Sequence, residues 1–164
     1  MSKQTFKPKG KEMNKRSVVT ILFVLAAVAT VAMAADPWAG TWKLNPAKSK
    51  APGGRLPHPT SINVFEIQGD TVHLIADETD ATGKTLHVEY TAKLDGKEYP
   101  VKQTPPSPQQ YTISLKQIDA RTREFVEKVG NFTIKGRDIL SEDGKSFSRV
   151  GENNNGPIQY FEKQ

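Results

Sequence analysis

From residue 62 onward, apolar side chains recur at every second position in short runs, and glycine, aspartate, asparagine or proline interrupts the runs at close intervals. A period of two broken by turn residues predicts half-buried β-strands joined by hairpins. The stretch 62–103 shows it most sharply. The Gly69-Asp70 loop suits a primed hairpin turn, because glycine accepts positive φ at its first position. That turn sets Gln68 opposite Thr71, Ile67 opposite Val72, Phe65 opposite Leu74 and Asn63 opposite Ala76. Next, Ala81-Thr82-Gly83 reads as a three-residue hairpin loop with Gly83 in the left-handed position, which pairs Ala76 with Val88 and Leu74 with Tyr90. Asp95-Gly96 then pairs Ala92 with Tyr99 and Tyr90 with Val101. The three turns together put Phe65, Ile67, Val72, Leu74, Val88, Tyr90, Ala92, Tyr99 and Val101 on one face of one antiparallel sheet. A slip of one residue at any turn would carry half of these side chains into water, so their agreement fixes the registers.

The pattern continues to the end of the chain. Tyr111, Ile113 and Leu115 alternate in a strand that turns at Asp119–Thr122. A turn at Gly130-Asn131 sets Val129 opposite Phe132, Glu127 opposite Ile134 and Arg123 opposite Asp138. Another at Asp143-Gly144 sets Leu140 opposite Phe147 and Asp138 opposite Arg149. A last strand covers Ile158–Lys163. Residues 46–60, with four prolines and two glycines, read as a long loop over one mouth, either a lid or a plain connection. Thr104–Pro108 is a second loop. Nine or ten strands result, with no helical period and no solenoid repeat. A meander this long leaves edges exposed unless its first and last strands meet, so the expected fold is all-β, an antiparallel up-and-down barrel of 8–10 strands. A two-sheet sandwich is the alternative.

Before these strands, Lys9, Lys11, Lys15 and Arg16 precede an apolar run from Val18 to Ala32 and the small-residue site Ala32-Met33-Ala34. This is the form of a secretory signal peptide cut after Ala34, with Met1 or Met13 as initiator. The run is short for a membrane span. The expected organisation is a signal at 1–34 and one barrel domain at 35–164, destined for the periplasm or the exterior, with no membrane span left after cleavage. The signal also changes the charge. The whole chain carries a formal +5, but six of its 23 basic and one of its 18 acidic residues lie before position 35, leaving 17 of each. The near-neutral remainder gives no reason to expect nucleic acid as a partner. With no cysteine, thiol catalysis, disulfide scaffolding and zinc fingers are excluded together.

The mature chain opens with Gly40-Thr41-Trp42-Lys43-Leu44-Asn45, a short strand with Trp42 on its buried side. Gly40-Thr41-Trp42 resembles the Gly-x-Trp signature of the first strand of lipocalins and related calycin barrels, and here too a meander of hairpins follows. With His87–Lys93 and Asp95-Gly96-Lys97, the phrase also resembles small secreted bacterial lipocalin-like domains, over most of residues 38–163. The resemblance implies a barrel closed at one end by Gly40 and Trp42, with an arginine, Arg149, stacked over the tryptophan. It implies a fold more directly than an activity.

Catalytic chemistry finds little support. The registers put His73 beside Thr91 and His87 beside Asp77 on the outer face, His58 lies among prolines, and Asp77-Glu78 flanks a turn. No serine sits in a nucleophile elbow and no glycine-rich phosphate loop precedes a helix. No enzyme, metal or cofactor is expected. One constellation stands out. Arg123, Asp138 and Arg149 lie side by side on three neighbouring strands, on the face that holds Phe125, Phe132, Ile134, Leu140 and Phe147. Two guanidiniums flanking one carboxylate inside a barrel need compensation, from Glu127, water or an anionic ligand. Fatty-acid-binding calycins hold a ligand carboxylate with interior arginines and a tyrosine, and the resemblance implies that this row, with Tyr90, Tyr99 or Tyr111, does the same. A purely structural role for the row is the competing reading. Two functions follow. One is a carrier of a small hydrophobic or amphipathic molecule, with Phe65 and Leu74 among its apolar contacts and Arg123 or Arg149 at its polar end. The other is a barrel filled by its own side chains, acting as an envelope interaction module.

Overall fold

The computed structural model describes residues 36–152 and 157–164, so the export-signal reading of residues 1–34 lies outside the described residues. Ten strands follow one another: β1 Gly40–Leu44, β2 Thr60–Gln68, β3 Thr71–Thr79, β4 Thr85–Lys93, β5 Asp95–Thr104, β6 Tyr111–Asp119, β7 Thr122–Val129, β8 Phe132–Leu140, β9 Ser146–Gly151 and β10 Ile158–Lys163. Each pairs antiparallel with its neighbours in sequence, and β1 pairs with β10, so the sheet closes into an up-and-down barrel. The sandwich alternative is set aside by that closure, which runs through Trp42 opposite Lys163 and Leu44 opposite Phe161. Among the described residues no helix is long and apolar enough to cross a membrane.

The turn chemistry sets the registers. Gly69 and Gly83 adopt φ of 61° and 87°, and the ladders they seed place Phe65 opposite Leu74 and Leu74 opposite Tyr90, as the alternation requires. Arg123 faces Asp138, and Asp138 faces Arg149. Two turns differ in detail. At Asp143-Gly144 the loop is wider, closed by the Ser141 amide donating to the Ser146 carbonyl, while Leu140 still opposes Phe147. At Asp95-Gly96 the β4–β5 ladder covers His87–Tyr90 against Val101–Thr104 in the expected register and ends before Ala92 and Tyr99, while on its other edge Tyr99 pairs with Ile113 of β6. There the Leu94 amide donates to the Asp70 carbonyl, and a bulge between Asp95 and Glu98 redirects the start of β5.

The two ends of the barrel are unlike. At the end near Gly40, the segment before β1 folds across the opening and seats Trp38 inside. Trp42 donates its Nε1–H to the Trp38 carbonyl at 2.9 Å. Phe147 lies edge-on to Trp42 at 5.0 Å between ring centroids and stacks on Phe161 at 4.6 Å, with Phe65 at 6.1 Å. Such aromatic contacts contribute about 0.5–1.5 kcal/mol each beyond the area they bury. This half is therefore filled. The opposite end carries the long 45–59 connection, which holds one 3-10 turn at Pro52–Gly54, and the 105–110 loop.

Phe132 and Ile134 correct the expected interior. They belong to the inward face, but Phe132 is 72% exposed and Ile134 48%. They sit at the tip of the β7–β8 hairpin, where the barrel has opened and little packs against them.

Candidate functional site

A cavity of about 330 Å³ occupies the open half of the barrel, above the aromatic plug. Strand alternation builds its wall. Leu74, Ala76 and Glu78 are successive inward positions of β3, and Val88 and Tyr90 are those of β4. Phe125, Glu127 and Val129 come from β7, Tyr111 from β6, Ile134 from β8 and Arg149 from β9. Pro57 and His58 reach the rim from the long 45–59 connection, so that loop does cover part of the mouth.

The charged row is assembled as the registers require, but its two guanidiniums take different main partners. Arg149 ion-pairs with Glu127 at 2.8 Å and lies 3.6 Å from Asp138, and its guanidinium stacks on the Phe125 ring at 3.8 Å. Burial works against the Arg149 charge, and the Glu127 and Asp138 carboxylates more than offset it, so its pKa is raised. Arg123 turns toward the plugged end instead. It donates from Nε to the Gln117 side chain at 3.0 Å, lies over Trp38 at 4.3 Å and faces Asp36 at 3.8 Å. Burial lowers the Arg123 pKa, with Asp36 and Asp138 opposing. Asp138 is buried between them, and burial pushes its carboxyl upward against the pull of Arg149. Its Oδ1 has no hydrogen-bond donor among the described residues. Glu127 is the compensating carboxylate, and it engages Arg149 Nη2 before any ligand arrives.

Of the residues expected at a ligand, Leu74, Tyr90, Tyr111 and Arg149 line the cavity. Burial raises the hydroxyl pKa of Tyr90 and of Tyr111, so both stay protonated as donors. Phe65, Tyr99, Arg123 and Asp138 do not line it. Phe65 belongs to the aromatic plug, Arg123 and Asp138 lie beneath the cavity floor, and Tyr99 is near the plugged end with its hydroxyl donating to Asp95 at 3.1 Å.

The closing residues need one correction. Gly40 and Trp42 sit at the plugged end, Gly40 with φ of 124° where an added Cβ would meet the Lys163 Cε at 3.0 Å. The cation over Trp42 is Lys163, at 5.0 Å, and Arg149 is not there. Phe147, one inward position nearer that end on the same strand, already fills the place against Trp42. Arg149 is left to pack on Phe125.

Sequence reasoning overlooked His58, Glu78, Asn63, Gln103 and Gln159, all of which line the cavity. His58 Nε2 lies 3.8 Å from Glu78 Oε2, and burial raises the Glu78 pKa. Glu78 was legible, because the alternation Leu74, Ala76, Glu78 continues the inward face. His58 carried no signal, since nothing in a proline-rich loop says where it folds back. On the outside, His73 has Glu66 and Glu89 each 3.2 Å from a ring nitrogen, and His87 lies 2.7 Å from Asp77. Among the described residues no cluster of histidine and carboxylate side chains is arranged to hold a metal ion.

No protein-family model matches this chain, and no curated protein matches it in sequence.

Proposed function

We propose that the protein is exported and that its barrel carries a small amphipathic molecule, as a binding protein rather than an enzyme. One observation supports this most directly: the 330 Å³ cavity, walled by Leu74, Val88 and Val129 and edged with polar groups from Tyr90, Tyr111 and Arg149. Ligand sites combine an apolar wall with a few placed polar groups, and their volumes begin at about 300 Å³. The space holds about eleven water-sized groups, roughly a ten-carbon chain with one polar head. A barrel filled by its own side chains from end to end, the interaction-module alternative, would leave no such space. The periplasm or the exterior is the compartment this reading takes from the basic and apolar pattern of residues 1–34.

Native mass spectrometry of the protein purified from its own source tests the reading, with added decanol as a second probe. The expected result is a small bound molecule, or stoichiometric uptake of decanol, and loss of either in Leu86→Trp, which fills the mouth at a half-buried position. A protein that carries nothing and takes up no decanol, or a Leu86→Trp variant that binds as before, overturns it.

A further inference from the structure

The charge around the cavity identifies the polar end of the ligand. Glu78 and Glu127 line the space, and Asp138 lies beneath its floor at 7% exposure. Arg149 is the one guanidinium that lines it among the described residues, and it is engaged by Glu127 at 2.8 Å with Asp138 at 3.6 Å. Arg123 is directed away to Asp36, Gln117 and Trp38. His58 approaches Glu78 only to 3.8 Å, beyond hydrogen-bond reach. Within the lining, two carboxylates therefore stand against one guanidinium and one imidazole, and the guanidinium is engaged by Glu127.

A ligand carboxylate would add a further acceptor beside Glu78 and Glu127 and compete with Glu127 for Arg149. A primary ammonium brings three donors and a compensating charge to a half-buried carboxylate that lacks a close partner. Asn63, Gln103 and Gln159 line the same cavity, and side-chain amides of this kind carry oxygens able to accept from such a group. Arg149 does not repel it strongly, because its own charge is offset at contact distance. We propose that the carried amphiphile ends in a protonated amine, held by the Glu78 carboxylate at the cavity mouth; this rests on the carrier reading above.

Calorimetric titration of the mature chain at pH 7 with decylammonium, decanol and decanoate tests it. Decylammonium is expected to bind about tenfold more tightly than decanol, the worth of one charge-assisted hydrogen bond, with decanoate weakest. Glu78→Gln, checked for its fold by circular dichroism, is expected to bring decylammonium to the level of decanol. Decanoate binding as tightly as decylammonium overturns the amine assignment, a preference that survives Glu78→Gln overturns its capture by Glu78, and either result leaves the carrier reading standing. Failure of all three probes to bind overturns both. The ranking on the unaltered protein decides the matter even if the variant misfolds.

Discussion

Asp138 sits in a barrel interior that favours its neutral form. Burial moves its pKa above the ordinary 3.8, with Arg149 only partly opposing. For a group whose folded value is raised, the stabilising contribution is complete below the unfolded value and is lost as pH rises through the folded one. Asparagine mimics the protonated acid and does not titrate. The free-energy difference between Asp138→Asn and the unaltered protein should therefore be small below about pH 4 and grow in the variant's favour toward neutrality, by about 1.4 kcal/mol for each tenfold gain in proton affinity that folding gives the carboxyl. Urea denaturation at several pH values measures it. A difference that does not change with pH would show that Arg149 compensates the buried carboxylate fully. Arg149 should behave oppositely. Arg149→Met leaves Glu127 and Asp138 without their cation, and loss of one partner from a buried ion pair costs about 3–5 kcal/mol. Denaturant melts at pH 7 should show that loss, while stability held within about 1 kcal/mol of the unaltered protein, the worth of an exposed pair, would mean the row is solvated. The composition of this row was legible in the sequence, because it follows from two turn registers. Which way each guanidinium points was not, since that depends on Trp38, Asp36 and Phe125, which come from other parts of the chain.

Among the strands, β8 owes its place to Gly136. Phe125 faces it across the β7–β8 ladder, and a methyl group there would stand 2.2 Å from the Val150 carbonyl oxygen and 2.6 Å from Phe125 Cζ. Neither neighbour can yield without moving a strand or unseating the ring on which Arg149 stacks. Gly136→Ala should destabilise the barrel by about 1–3 kcal/mol, as overpacking does, and a thermal melt reads the loss. An unchanged melting temperature would mean that β9 gives way at Val150 and Phe125 takes a second rotamer, both without cost. A glycine inside an alternating strand signals close approach in general, yet the sequence does not say which side chain makes it. The hairpins were more transparent. Gly69, Gly83 and Gly130 each sit at a position of positive φ, and each seeds the ladder read from its neighbours. The β4–β5 ladder ends before its turn, where the Leu94 amide extends the β3–β4 pairing to the Asp70 carbonyl and β5 is irregular against β6 between Asp95 and Glu98.

Closure of the barrel unit depends on β10. Its pairing with β1 and β9 removes the two edges that a ten-strand meander would otherwise expose. A chain ending at Gly151 should present β1 and β9 as open edges and lose Phe161 from the aromatic plug. Light scattering should then show concentration-dependent association, whereas a monomer with cooperative unfolding would mean that the sheet recloses without β10. The alternation of side chains and the chemistry of the turns determined the strands, their registers and the inward face, because both act between residues close in sequence and a shift of one position is penalised along a whole strand. The need to bury two sheet edges made closure the expected outcome. The folded barrel alone decided which half is filled and which is hollow, which cation covers Trp42, and that His58 comes to 3.8 Å from Glu78 at the mouth. Those features arise where side chains far apart in the chain compete for one enclosed volume, and no local pattern records who wins.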